Sequence, residues 1–167
     1  MKKIIVLDTE TTGLSQYMDD ILQLSIIDDE GYVLFNDYFK PVKKTSWKQA
    51  EAIHHISLEM VANQNTFAQR QDEIQAIIDD ADVIVGYNVT FDLNFLKEHG
   101  IYISGATEIV DVMKGFGFII GNGRYTKQKL STCADYYGYV WEDAAHNALA
   151  DAKATLYCYK CIVDKNG

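Results

Sequence analysis

The sequence predicts an α/β fold, a mixed β-sheet with helices packed on it, and three features lead there. Short apolar runs bounded by turn residues open the chain, two of them joined as a hairpin. Further short runs then alternate with segments of helical periodicity. The length of 167 residues suits one compact domain, residues 1–167. A hairpin pairs its strands antiparallel and a helical crossover makes strands parallel, so this order dictates a mixed sheet.

Lys3 to Asp8 reads as a buried strand, with Ile4-Ile5-Val6-Leu7 as its apolar run and Thr11-Thr12-Gly13 as the turn signal beyond it. Ile21 to Ile27 and Tyr32 to Phe39 form the hairpin across Asp28-Asp29-Glu30-Gly31, and Pro41 ends its second arm. Phe67 to Ile78 is helical, with apolar residues at 67, 74, 77 and 78. Asp82 to Gly86 is a short buried strand. Thr90 to His99 is a helix with Thr90 as its candidate cap and Gly100 just past its end. Ile109 to Val112 is a short strand, and Lys129 to Tyr137 a helix. Ala148 to Val163 is the last helix, its apolar positions Leu149, Ala152, Leu156, Tyr159 and Val163 spaced by three and four.

Twenty-four Asp and Glu against fifteen Lys and Arg leave a net charge of −9. That excludes a basic, histone-like binder of nucleic acid, but not a metal-dependent phosphodiesterase, whose bound cations reverse the local field. No apolar run approaches the roughly 18 residues of a membrane span. After Met-Lys-Lys only Ile4 to Leu7 precede Asp8, too little for a signal-peptide core. Three cysteines make no disulfide framework, and the Cys158/Cys161 pair reads as buried packing. The expectation is a soluble, cytoplasmic protein without a membrane partner.

Asp8 and Glu10 leave the end of the first strand, two apart and so on one face. With 24 acidic residues, roughly one such pair arises by chance. The other copy, Asp28/Glu30, lies in the polar hairpin turn. Asp8 instead follows a buried run, where a carboxylate is costly unless something pairs with it. Asp92 falls in the first turn of a helix, after Tyr87-Asn88; alone it would merely complement the positive helix start. His146 and Asp151 are five apart, about 140° around a helix, so His146 belongs on the loop before the last helix, with Asn147 as candidate cap. Four carboxylates and one histidine thus stand at strand ends and helix starts, where ligands of open sheets collect. Such oxygen donors suit Mg²⁺ or Mn²⁺, and no cysteine cluster or histidine pair points to zinc.

Val6-Leu7-Asp8-Thr9-Glu10-Thr11-Thr12-Gly13-Leu14, Asn88 to Asp92 and His146-Asn147-Ala148-Leu149-Ala150-Asp151-Ala152 closely resemble, in order, the motifs of the DnaQ-like, or DEDDh, 3′–5′ exonucleases. That group includes the proofreading subunit of bacterial DNA polymerase III. The resemblance covers nearly the whole chain; one departure is Tyr87, where many members carry histidine. It implies a ribonuclease H-like fold with a mixed five-stranded sheet flanked by helices. It also implies two divalent cations, Mg²⁺ or Mn²⁺, held by Asp8, Glu10, Asp92 and Asp151, with His146 as the base that activates water. The terminal nucleotide would be received by Thr11, Thr12, Gly13 and Leu14, with Asn88 and Phe91 nearby. Phe95, one turn from Phe91, reads as core.

His55-Ile56 stands where relatives often have His-Gly-Ile, which makes His55 a candidate on the substrate side. Arg124, after Gly121-Asn122-Gly123 and before Lys127 and Lys129, is a candidate guide for phosphates in an otherwise acidic chain. The substrate expected is a nucleic acid with a free 3′ end, single-stranded DNA ahead of RNA, because Lys129 to Tyr139 and the Ala-Leu-Ala-Asp ending look more like the polymerase-associated branch. The alternatives are an RNA-directed enzyme similar to oligoribonuclease or RNase T, and an inactive module that binds nucleic-acid ends. A polymerase is the candidate protein partner. The chain ends without the extension by which the bacterial proofreading subunit contacts its polymerase, which suggests a stand-alone nuclease or an excised domain.

Overall fold

The computed structural model describes residues 2–141 and 146–166, with side chains through Asp164. Five strands form one sheet in the order β3-β2-β1-β4-β5, where β1 is Ile4–Thr11, β2 Ile21–Asp28, β3 Val33–Tyr38, β4 Val83–Gly86 and β5 Glu108–Asp111. β1 pairs antiparallel with β2, and β2 with β3, as the hairpin requires; β1–β4 and β4–β5 are parallel. The mixed five-stranded sheet flanked by helices is therefore present as expected.

β1 runs three residues further than its apolar stretch predicts. Its parallel register with β4 covers only Ile4↔Val83 to Val6↔Val85, because β4 ends at Gly86. The antiparallel register with β2 continues through Asp8↔Ser25, Glu10↔Gln23 and Thr11↔Ile21. Polar residues thus remain in strand geometry because β2 keeps pairing with them. Asp8 and Glu10 lie inside the strand, on the half that projects past β4.

Alternation along β1 sorts its side chains to two layers. Ile5 and Leu7 pack with Ile74 and Ile78 of α3 (Phe67–Asp79) and Leu93, Phe95 and Leu96 of α4 (Val89–Glu98). Val6 packs on the opposite face against Phe116 of α5 (Val112–Ile120), Cys133 of α6 (Leu130–Tyr137) and Ala152, Leu156 and Cys158 of α7 (Ala148–Asn166). All three cysteines are free thiols; Cys158 is buried in this layer as expected, whereas Cys161 is half-buried and lies outside it. Asp8 and Glu10 continue the Val6 face, and Thr9 the Leu7 face.

Several boundaries differ from expectation. α4 begins at Val89 behind Asn88, whose φ of 61° is left-handed, so Asn88 and not Thr90 occupies the cap position. Val112 starts α5 instead of ending β5, because the Asp111 carboxylate accepts from the Met113 and Lys114 amides and nucleates a turn. α5 itself lies outside the expected elements: its sequence is apolar apart from Lys114, with two glycines, and buries Val112, Met113, Phe116 and Gly117 on one face. Two short helices, Lys48–His54 (α1) and Leu58–Val61 (α2), bridge β3 and α3. Among the described residues no helix is long and apolar enough to cross a membrane.

Candidate active site

Three carboxylates converge where β1 outruns β4. Asp8 and Glu10 share a face of the strand, and Asp151 approaches from the first turn of α7. The start of α7 is fixed by two bonds. Asn147 Oδ1 accepts from the Leu149 amide at 3.1 Å, so the expected cap forms. Gln23, which faces Glu10 across the β1–β2 ladder, accepts the Ala148 amide at 3.2 Å and docks the helix beside the strand. One oxygen from each of Asp8, Glu10 and Asp151 then lies within 4.8 Å of the others. Sequence reasoning missed Gln23; its polar side chain, like that of Ser25, interrupting the apolar β2 run was the only signal.

His146 sits on the approach to α7, exposed, with a left-handed φ of 68°. Its backbone N–H donates to Asp151 Oδ1 at 3.2 Å, so the loop carrying the imidazole is tied to the acidic cluster.

Asp92, only 3% exposed, reaches the same region from the other layer. Its Oδ1 accepts from Thr9 N at 2.9 Å and from Thr9 Oγ1 at 2.7 Å. The β4–α4 turn that delivers it is tight: a Cβ on Gly86 would lie 2.8 Å from a Val89 methyl. Asn88 donates its N–H to Asp111 Oδ1 at 3.1 Å, and its side chain makes no capping bond. Asp111, not singled out in the sequence, thereby holds both this turn and the start of α5.

The cluster is electrostatically loaded. Burial and the Asp92, Asp151 and Glu10 charges push the Asp8 carboxyl well above its ordinary range. Burial, with Asp151 and Asp92, raises Glu10 to about 8. Burial raises Asp92 to about 7 against the opposing pull of the Thr9 hydrogen bonds. Asp151 is raised by burial as well, with the His146 amide and ring opposing. Asp8 and Glu10 have no ion-pair or hydrogen-bond partner among the described residues. Half-buried carboxylates crowded without a cation are destabilising. A hard divalent ion is the partner this all-oxygen set fits.

Alongside opens a cleft of about 730 Å³, lined by Thr9 to Leu14, Lys44, Trp47, Lys48, His54 and Phe91, among others. The turn at its edge is rigid: Thr11 Oγ1 donates to Gly13 O at 2.6 Å, and a Cβ on Gly13 would strike the Asp19 carboxylate at 2.5 Å. Thr12 Oγ1 donates to Asp19 Oδ1 at 3.2 Å. Leu14 is 86% exposed, so packing does not account for it. Phe91 lines the cleft while Phe95 is fully buried, the two rings 4.9 Å apart.

The histidine of this cleft is His54, not His55. His55 is exposed at the C-cap of α1 with φ 61°, a conformation that suits the glycine of His-Gly-Ile. His54 is buried; its Nδ1 accepts the Ile56 amide at 3.0 Å, which leaves Nε2 as the protonated nitrogen facing Thr11 O at 3.2 Å. Burial lowers its pKa and keeps it neutral. Arg124 is exposed on the α5–α6 connection, and neither it nor Asn88 lines the cleft.

The chain is 28% identical over 165 residues to an uncharacterised exonuclease, CP81, of Escherichia phage 186, covering 91% of this chain and 84% of that protein. It is 29% identical over 161 residues to a PolC-type DNA polymerase III of Staphylococcus saprophyticus, covering 93% of this chain but only 11% of the polymerase. Its fold matches exonuclease X, solved in complex with 5′ overhanging duplex DNA, with TM-score 0.74 and 23% identity over 98% of this chain and 93% of that one. Residues 5–159 match the exonuclease family typified by RNase T, and with that span, this sheet and this acidic cluster the chain belongs to the DnaQ-like exonuclease family.

Proposed function

We propose that this protein is a 3′–5′ exonuclease of DEDDh type that removes nucleoside 5′-monophosphates from the 3′ end of DNA, as in proofreading or repair. The observation that carries the reading is the convergence of Asp8, Glu10 and Asp151 oxygens within 4.8 Å, with Asp92 tied to the intervening Thr9. Asp8, Glu10, Asp92 and Asp151 would hold two divalent ions, Mg²⁺ or Mn²⁺. Bound ions of this kind supply Lewis-acid activation of water and stabilise the leaving oxygen.

Asp8, with Glu10 and Asp151, would serve the ion that activates the attacking water, and Asp92, with Asp8, the ion that stabilises the leaving oxygen. His146, exposed and anchored to Asp151 through its backbone, takes the proton from that water; an imidazole accepts protons near neutral pH. The water oxygen bonds to phosphorus and the P–O3′ bond breaks, leaving a 3′-hydroxyl on the shortened strand. The Thr11–Leu14 turn receives the terminal nucleotide, with Leu14 and Phe91 against its base and His54 holding the Thr11 carbonyl in place. DNA as substrate is supported by the DNA complex of exonuclease X, and a polymerase as partner by the likeness to part of PolC.

The test is 5′-labelled single-stranded DNA and RNA of matched sequence, incubated with Mg²⁺, Mn²⁺ or chelator. A metal-dependent ladder shortening from the 3′ end, faster on DNA, is expected. Faster shortening of RNA would transfer the reading to an exoribonuclease, and no shortening of either strand would refute it.

A further inference from the structure

The charge of this acidic chain reverses in two stretches, Lys40 to Lys48 beside the cleft and the α5–α6 connection beyond it. Arg124, Lys127 and Lys129 stand within six residues that contain no acid. All three are exposed, and none forms an ion pair among the described residues. Lys2, Lys3, Lys44, Arg70 and Lys114 each have a carboxylate partner, while Lys40, Lys43, Lys48, Lys97 and Lys160 likewise form no ion pair among the described residues, so it is the clustering of the three that sets this segment apart.

Solvated lysines on a free loop would mean little, but this segment is pinned. Thr126 donates to Gly117 O from its amide at 3.2 Å and from its hydroxyl at 3.1 Å. Contact there is close enough that a Cβ on Gly117 would lie 2.6 Å from Thr126 O. The Tyr87 hydroxyl donates to Gln128 O at 3.0 Å, between the two lysines. Tyr87 directly follows β4 and precedes the Asn88 turn, so this bond ties the segment to the end of the sheet that carries the carboxylates. β5, which leads into α5, is two strand spacings from β1, roughly 10 Å. Among the cations stands Tyr125, 44% exposed, its ring 5.7 Å from that of the exposed Phe118.

We propose that Arg124, Lys127 and Lys129, with Tyr125 between them, form a binding strip for the phosphodiester backbone of a single-stranded polynucleotide, upstream of the 3′ end under cleavage. The assignment rests on the exonuclease reading. Cations carried on a pinned backbone and alternating with an exposed ring are the chemistry that tracks a single strand, the cations on phosphates and the ring under a base. Net charge does not oppose this, because screening over about 8 Å at physiological salt leaves a phosphate responsive to its nearest charges. Tyr87, where relatives carry histidine, becomes a positioning residue that holds the strip beside the site.

The test compares the full chain with its Arg124→Ser/Lys127→Ser/Lys129→Ser variant on two substrates. One is a labelled single strand of about 20 nucleotides, long enough to reach the strip. The other is the p-nitrophenyl ester of thymidine 5′-monophosphate, which has no upstream phosphodiester. The oligonucleotide KM should rise roughly tenfold or more, and the slope of log(kcat/KM) against log salt should flatten by about 2, three contacts at about 0.7 each. Ester hydrolysis should keep its kcat and KM. Tyr87→Phe should raise the oligonucleotide KM alone, by less. Fluorescence anisotropy of the labelled strand with Ca²⁺ should show the same weakening without turnover. An inactive wild type that still binds through the strip would therefore sink the exonuclease reading and spare the strip. Equal oligonucleotide KM for wild type and triple variant overturns the proposal. So does a parallel loss on the ester, which would show that the segment acts through the fold, and so does unchanged strand binding, which would leave the cations to an acidic protein.

Discussion

Removing the charge of Glu10 should make the metal-free protein more stable while it abolishes metal-dependent stabilisation. In the fold the Glu10 carboxyl is raised from 4.5 to about 8, and that of Asp92 from 3.8 to about 7. The folded state therefore holds these protons more tightly than the unfolded chain. Their stabilisation is complete below the unfolded values and is lost as pH rises through the folded ones. Between pH 6.5 and 8.5 the loss integrates to roughly 2 kcal/mol for Glu10 and about 1 kcal/mol for Asp92. At about 2–4 °C per kcal/mol for a domain of this size, these two groups alone should cost the chelated wild type roughly 6–12 °C in Tm across that window, and Asp8, raised as well, adds to the fall.

His54, buried, and His99, half-buried, do not blur the measurement. Burial lowers both His54 and His99 from 6.5, so their protonation falls below the window. The assay is thermal unfolding followed by circular dichroism in EDTA and in Mg²⁺, for wild type and Glu10→Gln. In EDTA the variant should lose the Glu10 share of the decline, keeping what Asp92, Asp8 and Asp151 contribute, and should melt above wild type at pH 8.5. Mg²⁺ should flatten the wild-type curve and leave the variant nearly unmoved. A chelated wild-type Tm that is level or rises from pH 6.5 to 8.5 would refute the electrostatic account, as would identical slopes for the two proteins.

His146→Ala should lower turnover roughly 10²–10⁴-fold while calorimetric Mn²⁺ affinity survives. Lost affinity would make the histidine a ligand rather than the base. Thr9→Val removes one of the two bonds to Asp92, worth about 1.5 kcal/mol, and should slow kcat on the order of tenfold with the fold intact by circular dichroism. Unchanged kcat would show that the amide alone positions the carboxylate. His55→Gly relieves a left-handed residue and should raise Tm by about 1–4 °C, whereas a lower Tm would mean that the side chain packs in solution. Leu14→Ala should raise the KM for single-stranded DNA several-fold without moving Tm, and a fall in Tm would mark Leu14 as a packing residue.

The strands and long helices were legible because burial imposes a period on them. From Ile21 to Ile27 β2 is apolar apart from Gln23 and Ser25, and α7 repeats at three and four. What escaped was set by partners remote in sequence. The second half of β1 looks polar and is a strand only because β2 continues alongside it. α5 carries two glycines and only Lys114 as a polar residue, so its buried face of Val112, Met113, Phe116 and Gly117 is hard to tell from the rest, and the Asp111 cap that starts it is recognisable only with the turn in view. The carboxylates could be named from local motifs, but their convergence depends on the docking of α7 through Gln23, a contact across 125 positions. His54 and His55 are adjacent, and only the left-handed backbone at His55 decides which of them turns inwards.

The premature end of β4 has a consequence for how variants at Asp92 are to be interpreted. A strand with no neighbour on one side presents unpaired amides, and the Thr9 N–H is such a group. Asp92 supplies the acceptor that a longer β4 would have contributed, so this carboxylate substitutes for a missing piece of sheet. Asp92→Ala would strip the edge of its acceptor as well as removing a charge, and lost turnover in that protein would report two injuries at once. Asp92→Asn can retain an oxygen for Thr9 and separates them. Amide exchange at Thr9 gives the corresponding readout without chemistry: protected in wild type and Asp92→Asn, and released in Asp92→Ala.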